Sequence, residues 1–277
     1  MAEAKKKVIF LGNGPLAEYA LAVLAEECQV LLVAHNKDDL EEVCRLKRDY
    51  PEAYGVLASF GVIIPSSVLE VFEPEGILNI HPSLLPLYRG ASPIESAILD
   101  GASEFGVSIM KLAPAMDAGP VYWQTTLSGA EIGEMTGVEV TEDGSPLDKL
   151  AIYKALAETG AKWICEHLGN LPEPVAQDET EATYTEKMVK SMGVLHPETE
   201  SADEILRKIV AYAGYPKAKY ALFGKNCTIL AAKKLKPDTQ AVLPLKCADG
   251  QILALERIQP EGRKAMDAKS FLNGYSH

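Results

Sequence analysis

A strand, a helix and a second strand follow one another at the start of this chain, and that order constrains the fold more than any other feature. Lys7-Val8-Ile9-Phe10-Leu11-Gly12 is an apolar run of strand length. Leu16 to Glu27 repeats its apolar residues at helical spacing, and Gln29-Val30-Leu31-Leu32-Val33-Ala34 reads as another buried strand. A βαβ unit of this kind favours a parallel sheet with helices on its faces. The turn inside it, Gly12-Asn13-Gly14-Pro15-Leu16-Ala17, fits the glycine fingerprint of dinucleotide sites. However, the second strand ends at Ala34-His35-Asn36 without an acidic ribose partner, and Asp38 and Asp39 lie beyond it. Pro15 also removes an N–H that a phosphate would use. The glycines are read as a tight βα turn.

The alternation continues. Gly55–Ala58 predicts a strand, followed by a loop at Ser59-Phe60-Gly61, helical spacing over Ser66–Phe72, and a strand over Gly76–His81 that stops at Pro82. Pro93–Asp100 predicts a helix with Pro at an early position. Gly106–Leu112 and Pro120–Thr126 predict two strands flanking a loop that holds Asp117, and Leu147–Leu168 a long amphipathic helix. Residues 169–185 are polar, contain Pro and lack periodicity, as expected of a linker. Beyond it, Ser201–Tyr212 predicts a helix with a Ser201/Glu204 capping box. Short strands at Lys219–Phe223, Asn226–Lys233, Ala241–Lys246 and Ile252–Ile258, separated by turns, predict a small β-barrel. The expected organisation is an α/β catalytic domain over 1–168, a linker over 169–185 and a second domain over 186–277.

Charge separates the two parts. The chain carries a net −12, yet residues 201–277 hold 13 Lys and Arg against 7 Asp and Glu, while residues 1–200 hold 14 against 32. Such asymmetry hints at a polyanion-binding module carried by an acidic one, and a solvated basic face is the bland alternative. No apolar run reaches the ~20 residues that span a bilayer, and the N-terminus leads into a strand without a signal-peptide core. Cys28, Cys44, Cys165, Cys227 and Cys247 are scattered and odd in number, as expected of reduced cytoplasmic thiols. His35, His167, His196 and His277 have no companions at metal-ligand spacing, so no metal is expected.

Asn79, His81 and Asp117 carry the chemistry. An amide can donate a hydrogen bond to a developing oxyanion, an imidazole can move a proton near neutral pH, and a carboxylate can hold that imidazole. Asn79 and His81 are two apart, so on a strand they face the same side. A lone His ending an apolar run is more often a satisfied structural residue; the surrounding sequence changes that balance.

The block from Asn79-Ile80-His81-Pro82-Ser83-Leu84-Leu85-Pro86 through Leu87-Tyr88-Arg89-Gly90-Ala91-Ser92-Pro93-Ile94, Gly106-Val107-Ser108-Ile109-Met110 and Asp117-Ala118-Gly119 resembles the folate-dependent formyltransferases. Among them it is most similar to the branch acting on methionyl-tRNA, a likeness that returns in Gln259–Met266 and Phe271–Tyr275. The resemblance implies a Rossmann-like formyltransferase domain followed by an OB-like barrel, with 10-formyltetrahydrofolate as donor and the amine of initiator methionyl-tRNA as acceptor. It implies catalytic roles for Asn79, His81 and Asp117, and folate contacts from Ser83, Leu84, Leu85 and Pro86 and from the loop with Phe60, Gly61 and Ile63. Contacts to tRNA are expected from Arg45, Lys47 and Arg48 and from Lys233, Lys234 and Lys236. One departure stands out: the segment between the second and third strands, Asn36–Glu52, is shorter than the basic loop usual in that branch. A sugar-nucleotide N-formyltransferase and an inactive folate- or RNA-binding homologue are the alternatives, the first disfavoured by the two C-terminal blocks.

Overall fold

A computed structural model describes residues 4–140, 147–235 and 239–275. The chain divides into two compact units. One comprises residues up to Ile94 with Ser103–Val138 and Leu150–Glu186; the other comprises Glu95–Ala102, Glu139–Lys149 and the chain from Lys187 on. The segment read as a linker, 169–185, thus clusters with the first unit.

The first unit is built on β1 (Lys7–Gly12), α1 (Gly14–Glu27), β2 (Gln29–Ala34), α2 (Leu40–Asp49), β3 (Tyr54–Ala58), α3 (Ser66–Leu69) and β4 (Ile77–His81). Past α4 (Pro93–Asp100), most of which groups with the second unit, come β5 (Glu104–Lys111), β6 (Val121–Ser128), α5 (Gly129–Thr136) and the long α6 (Lys149–His167). Six strands form one sheet in the order β2-β1-β3-β4-β5-β6. The parallel, Rossmann-like expectation describes β2, β1, β3 and β4; β5 and β6 then join antiparallel, which makes the sheet mixed. Val8, Ile9, Phe10 and Leu11 are all at most 1% exposed because helices cover both faces of the parallel half. Each contributes about 1.5–3 kcal/mol by leaving water.

Two elements escaped the sequence reading. The short segment Asn36–Glu52 is not a loop: Asn36 caps a 3₁₀ turn over Lys37–Asp39, and α2 follows with Leu40 and Val43 buried. α5 starts at a capping box, with Ser128 accepting from the Glu131 N–H and Glu131 accepting from the Ser128 N–H, and ends at left-handed Gly137.

The second unit holds α7 (Ala202–Ala211), β7 (Lys219–Leu222), β8 (Lys225–Lys234), β9 (Pro244–Lys246), β10 (Ile252–Pro260), β11 (Met266–Asp267) and α8 (Ala268–Tyr275). Ser201 and Glu204 form the expected capping box of α7. The five strands make one curled antiparallel half-barrel in the order β11-β10-β8-β7, with β9 paired to β10. β7 and β8 are joined at Phe223-Gly224, both with positive φ, as a two-residue hairpin turn requires. Ile205, Ile209, Leu253, Leu255 and Ile258 form its core, closed by Phe271, whose ring stacks on Tyr275. The terminal block Phe271–Tyr275 is therefore a core helix of this unit.

Candidate active site

β4 ends the parallel half of the sheet and carries Asn79 and His81, both 4% exposed. Antiparallel β5 sets Met110 opposite Asn79 and Ser108 opposite His81. The site therefore opens at the carboxyl ends of the parallel strands, where α/β sheets bind ligands. The loops after β1 and β3 meet at the same edge. The Asn13 N–H donates to Ser59 O at 3.2 Å, and its side chain donates to the carbonyls of His35 and Phe60. The glycine turn is thus fully engaged in joining three loops.

His81 Nε2 lies 3.2 Å from the carbonyl oxygen of Tyr88. That oxygen only accepts, so the neutral ring carries its hydrogen on Nε2 and turns the Nδ1 lone pair toward Asp117. Asp117 Oδ2 stands 3.8 Å from Nδ1, longer than a hydrogen bond, and accepts the Gly90 N–H at 2.8 Å. Burial holds His81 below the ordinary imidazole range; the Asp117 charge and the Tyr88 carbonyl pull it up, and Arg89 pushes it down. The ring is neutral at neutral pH and gains an ion-pair partner once Nδ1 takes a proton.

Asn79 supplies the complementary group. Among the described residues its side-chain amide makes no hydrogen bond within the protein, although the residue is nearly buried. The amide is not among the buried side-chain groups left without a partner, so it keeps access to solvent, which fits a donor kept for a ligand oxygen.

The loop that presents Asp117 is sterically defined. Asp117 has φ +49°, a left-handed conformation that costs a non-glycine residue about 1–2 kcal/mol. Gly119 packs so tightly on β5 that a Cβ there would lie 1.8 Å from Lys111 O. Only glycine fits, which accounts for the Asp-Ala-Gly spacing.

Ser83-Leu84-Leu85-Pro86 forms a turn against β5. The Ser108 hydroxyl donates to Ser83 O at 2.7 Å and accepts the Leu85 N–H at 3.1 Å, and Ser83 Oγ donates to Leu87 O at 2.6 Å. A Cβ on Gly106 would lie 2.5 Å from the Leu84 N and Cγ atoms, so the turn sits directly on the backbone of β5. Leu85 is buried and Leu84 half-buried. In the second expected folate loop, Phe60 is a core side chain at 3% exposure, packed with Leu11 and Ile64, whereas Ile63 is 88% exposed and Gly61 has φ +71°.

The expected RNA-contacting cations differ in availability. Arg45 pairs with Glu42 and Asp49 along α2, Lys47 donates to the Pro51 and Ala53 carbonyls, and Arg48 is exposed. In the second unit Lys233 pairs with Glu256 at 2.5 Å and Lys234 with Asp203 at 2.6 Å. Lys236 lies outside the described residues. That unit also has a cleft of about 610 Å³, lined by Lys217, Lys219, Tyr220, Asn226, Gln259 and Glu261. Lys217 and Lys219 are exposed and form no ion pair among the described residues. No group of three His, Cys, Asp or Glu side chains among the described residues is placed to hold a metal ion. None of the described helices is long and apolar enough to cross a membrane.

Sequence reasoning gave no role to Arg89, Gln177 or Ser108. Arg89 is fully buried; its guanidinium reaches Gln177 Oε1 at 2.8 and 3.1 Å, Glu179 at 2.7 and 2.9 Å and the Tyr184 hydroxyl at 3.2 Å. A charged residue inside the quoted block 79–94 was the available signal, since Arg is almost never fully buried unless paired.

An unpartnered amide, a neutral imidazole and a carboxylate thus lie at the end of a mixed α/β sheet, a set of groups chemically suited to transfer at an acyl carbon. Comparison with known proteins places that class. Residues 18–136 match the formyl transferase family and residues 187–276 the formyl transferase C-terminal domain. A methionyl-tRNA formyltransferase of Dehalococcoides mccartyi (strain CBDB1) is 36% identical over 250 residues, covering 84% of this chain and 74% of the relative. The solved methionyl-tRNA formyltransferase from Clostridium thermocellum superposes with a TM-score of 0.62 at 19% identity, covering 94% of this chain and 98% of that one. HypX from Aquifex aeolicus, solved in complex with tetrahydrofolic acid, gives 0.68 at 18% identity over 99% of this chain and 48% of its own longer one. The chain belongs to the formyltransferase family.

Proposed function

We propose that this chain transfers the formyl group of 10-formyltetrahydrofolate to the α-amino group of initiator methionyl-tRNA, in the cytoplasm. What carries the choice of acceptor is that its likeness to methionyl-tRNA formyltransferases extends over 84% of the chain, and that the C-terminal part matches a domain of the same family. The donor supplies an activated one-carbon acyl group. In the reaction the amine nitrogen bonds to the formyl carbon, the bond from that carbon to N10 of the folate breaks, and a proton leaves the amine as one reaches N10.

The residues divide that work. Asn79 donates to the formyl oxygen as charge builds there. Neutral His81 accepts a proton at Nδ1, and the resulting imidazolium is held by Asp117 on one side and Tyr88 O on the other. The Ser83–Pro86 turn, braced by Ser108, offers backbone groups to the polar pterin while Leu84 flanks the cleft; Ile63 and the Gly61 backbone are the accessible part of the second folate loop. Folate fits this site because the unpartnered Asn79 amide and the turn both border it. The second unit binds RNA phosphate. Transfer measured at rising salt tests this reading: KM for the RNA should climb steeply as phosphate contacts are screened, and a salt-independent KM would overturn it.

A further inference from the structure

The segment Val175–Glu186 is bound to the first unit rather than hanging free. Val175 pairs with Val121, Thr183 N–H donates to Pro86 O, and the Thr183 hydroxyl accepts the Tyr88 N–H. Thr185 N–H donates to Arg89 O at 2.7 Å and Ser92 Oγ to Glu186 O at 2.6 Å. Gln177 has different partners. Its Nε2 donates to Asp117 O at 2.8 Å and to Gly119 O at 2.7 Å, while its Oε1 accepts from Arg89 Nε and Nη2.

All four hydrogen-bonding positions of this one amide are used, and a flipped amide would face its NH₂ to the guanidinium, so its orientation is fixed. Both of its donors go to the carbonyls flanking the strained turn that carries the catalytic carboxylate. Arg89, its partner, lies between Tyr88, whose oxygen meets His81 Nε2, and Gly90, whose N–H meets Asp117 Oδ2. Residues 88–90 thus touch both members of the His81–Asp117 pair, and Gln177 closes the ring from behind.

We propose that Gln177 is a positioning residue for formyl transfer: its amide holds left-handed Asp117 so that the carboxylate faces His81 Nδ1. The proposal rests on the reading of this site as the formyl-transfer centre. A bond lost here displaces a carboxylate rather than a substrate contact, so turnover should suffer and substrate affinity should not. The charged groups facing His81 are the Asp117 carboxylate and the Arg89 guanidinium, and loosening the first removes an influence that raises the imidazole's proton affinity.

The test is Gln177→Met, which keeps the volume and removes all four bonds; Arg89 retains Glu179 and Tyr184. We expect kcat for methionyl-tRNA formylation to fall about 10²-fold, the cost typical of a misplaced catalytic group, with KM for 10-formyltetrahydrofolate unchanged. We also expect the His81 ring, followed by NMR in histidine-labelled protein, to titrate at a lower pH than in the parent. A merely structural role predicts a lower Tm with unchanged kcat per folded molecule and an unchanged His81 titration, and that result would overturn the proposal. If Gln177→Met does not fold, Gln177→Glu, which keeps the acceptors for Arg89 and loses the donors to 117 and 119, is judged by the same kcat fall with KM for 10-formyltetrahydrofolate unchanged, and an unchanged kcat per folded molecule would overturn the proposal. The NMR titration needs no substrate, so a parent protein inactive on methionyl-tRNA would sink the proposed function while still deciding the role of Gln177.

Discussion

His81 Nδ1 and Asp117 Oδ2 stand 3.8 Å apart across the mouth of the first unit, one from the end of β4 and the other from the loop between β5 and β6. The gap matters because the imidazole is neutral. With its hydrogen on Nε2, bound to Tyr88 O, the ring meets the carboxylate only through a lone pair. Proton uptake converts that contact into an ion pair, the change on which the proposed proton transfer relies.

This arrangement gives stability a pH dependence. Burial lowers the folded-state pKa of His81 below the ordinary 6.5 of the unfolded chain. Between the two values the unfolded state binds a proton that the folded state does not, so stability rises with pH there. The contribution is complete above about pH 6.5 and is lost as pH falls through that value toward the lowered one, at up to about 1.4 kcal/mol per pH unit. Urea midpoints followed by tryptophan fluorescence, which reports on the first unit through Trp123 and Trp163, should fall more steeply on acidification in the parent than in His81→Asn. Equal slopes would show that His81 does not titrate differently on folding.

Asn79→Ala should separate catalysis from folding. Among the described residues the amide makes no hydrogen bond, so its removal leaves stability within about 1 kcal/mol of the parent while kcat drops by about 10²–10³. His81→Ala and Asp117→Ala should lose turnover on a similar scale. Steady-state formylation beside thermal unfolding checks the pairing, and a near-parental kcat in Asn79→Ala would remove it from the oxyanion role.

Much of this was legible in the sequence, and the exceptions share a cause. Apolar runs and helical spacing located β1, α1, β4 and α7, whose apolar residues are buried, and also β2, an edge strand in which only Ala34 is buried. The strap over 175–186 has no stripe: it is held by polar bonds to Pro86, Tyr88, Arg89 and Ser92, partners far away in sequence. α5 carried a readable Ser128-x-x-Glu131 box, and α2 was obscured by its many charges. The Asn79, His81 and Asp117 set was visible through strand parity and a familiar block, whereas Gln177 was not, since an amide in a Pro-containing polar stretch gives no local sign of what it bonds. Phe60 shows the converse: an aromatic beside glycine suggested a stacking surface, and its ring is core.

Ser108→Ala tests the folate turn. The hydroxyl bridges Ser83 O and the Leu85 N–H in a fully buried position, so both would be left unpaired at a cost of about 1–3 kcal/mol. The account predicts that KM for 10-formyltetrahydrofolate rises more than KM for the RNA. A variant losing stability with both KM values unchanged would make Ser108 a core residue alone.

Charge reversal in the second unit distinguishes two sets of lysines. Lys233 and Lys234 are engaged by Glu256 and Asp203, whereas Lys217 and Lys219 line the cleft without ion-pair partners among the described residues. Lys217→Glu with Lys219→Glu should therefore raise KM for tRNA and flatten its salt dependence more than Lys233→Glu with Lys234→Glu. The reverse ranking would put the phosphate-binding face on β8.

The identity of the acceptor decides the function proposed for this chain. Purified protein should be offered 10-formyltetrahydrofolate with initiator methionyl-tRNA, an amino-sugar nucleotide and glycinamide ribonucleotide in parallel, with formyl incorporation measured for each. Rapid, salt-sensitive formylation of the charged initiator tRNA, with none of the two small amines, is the expected result. Transfer to a small amine alone, with methionyl-tRNA untouched, would contradict it.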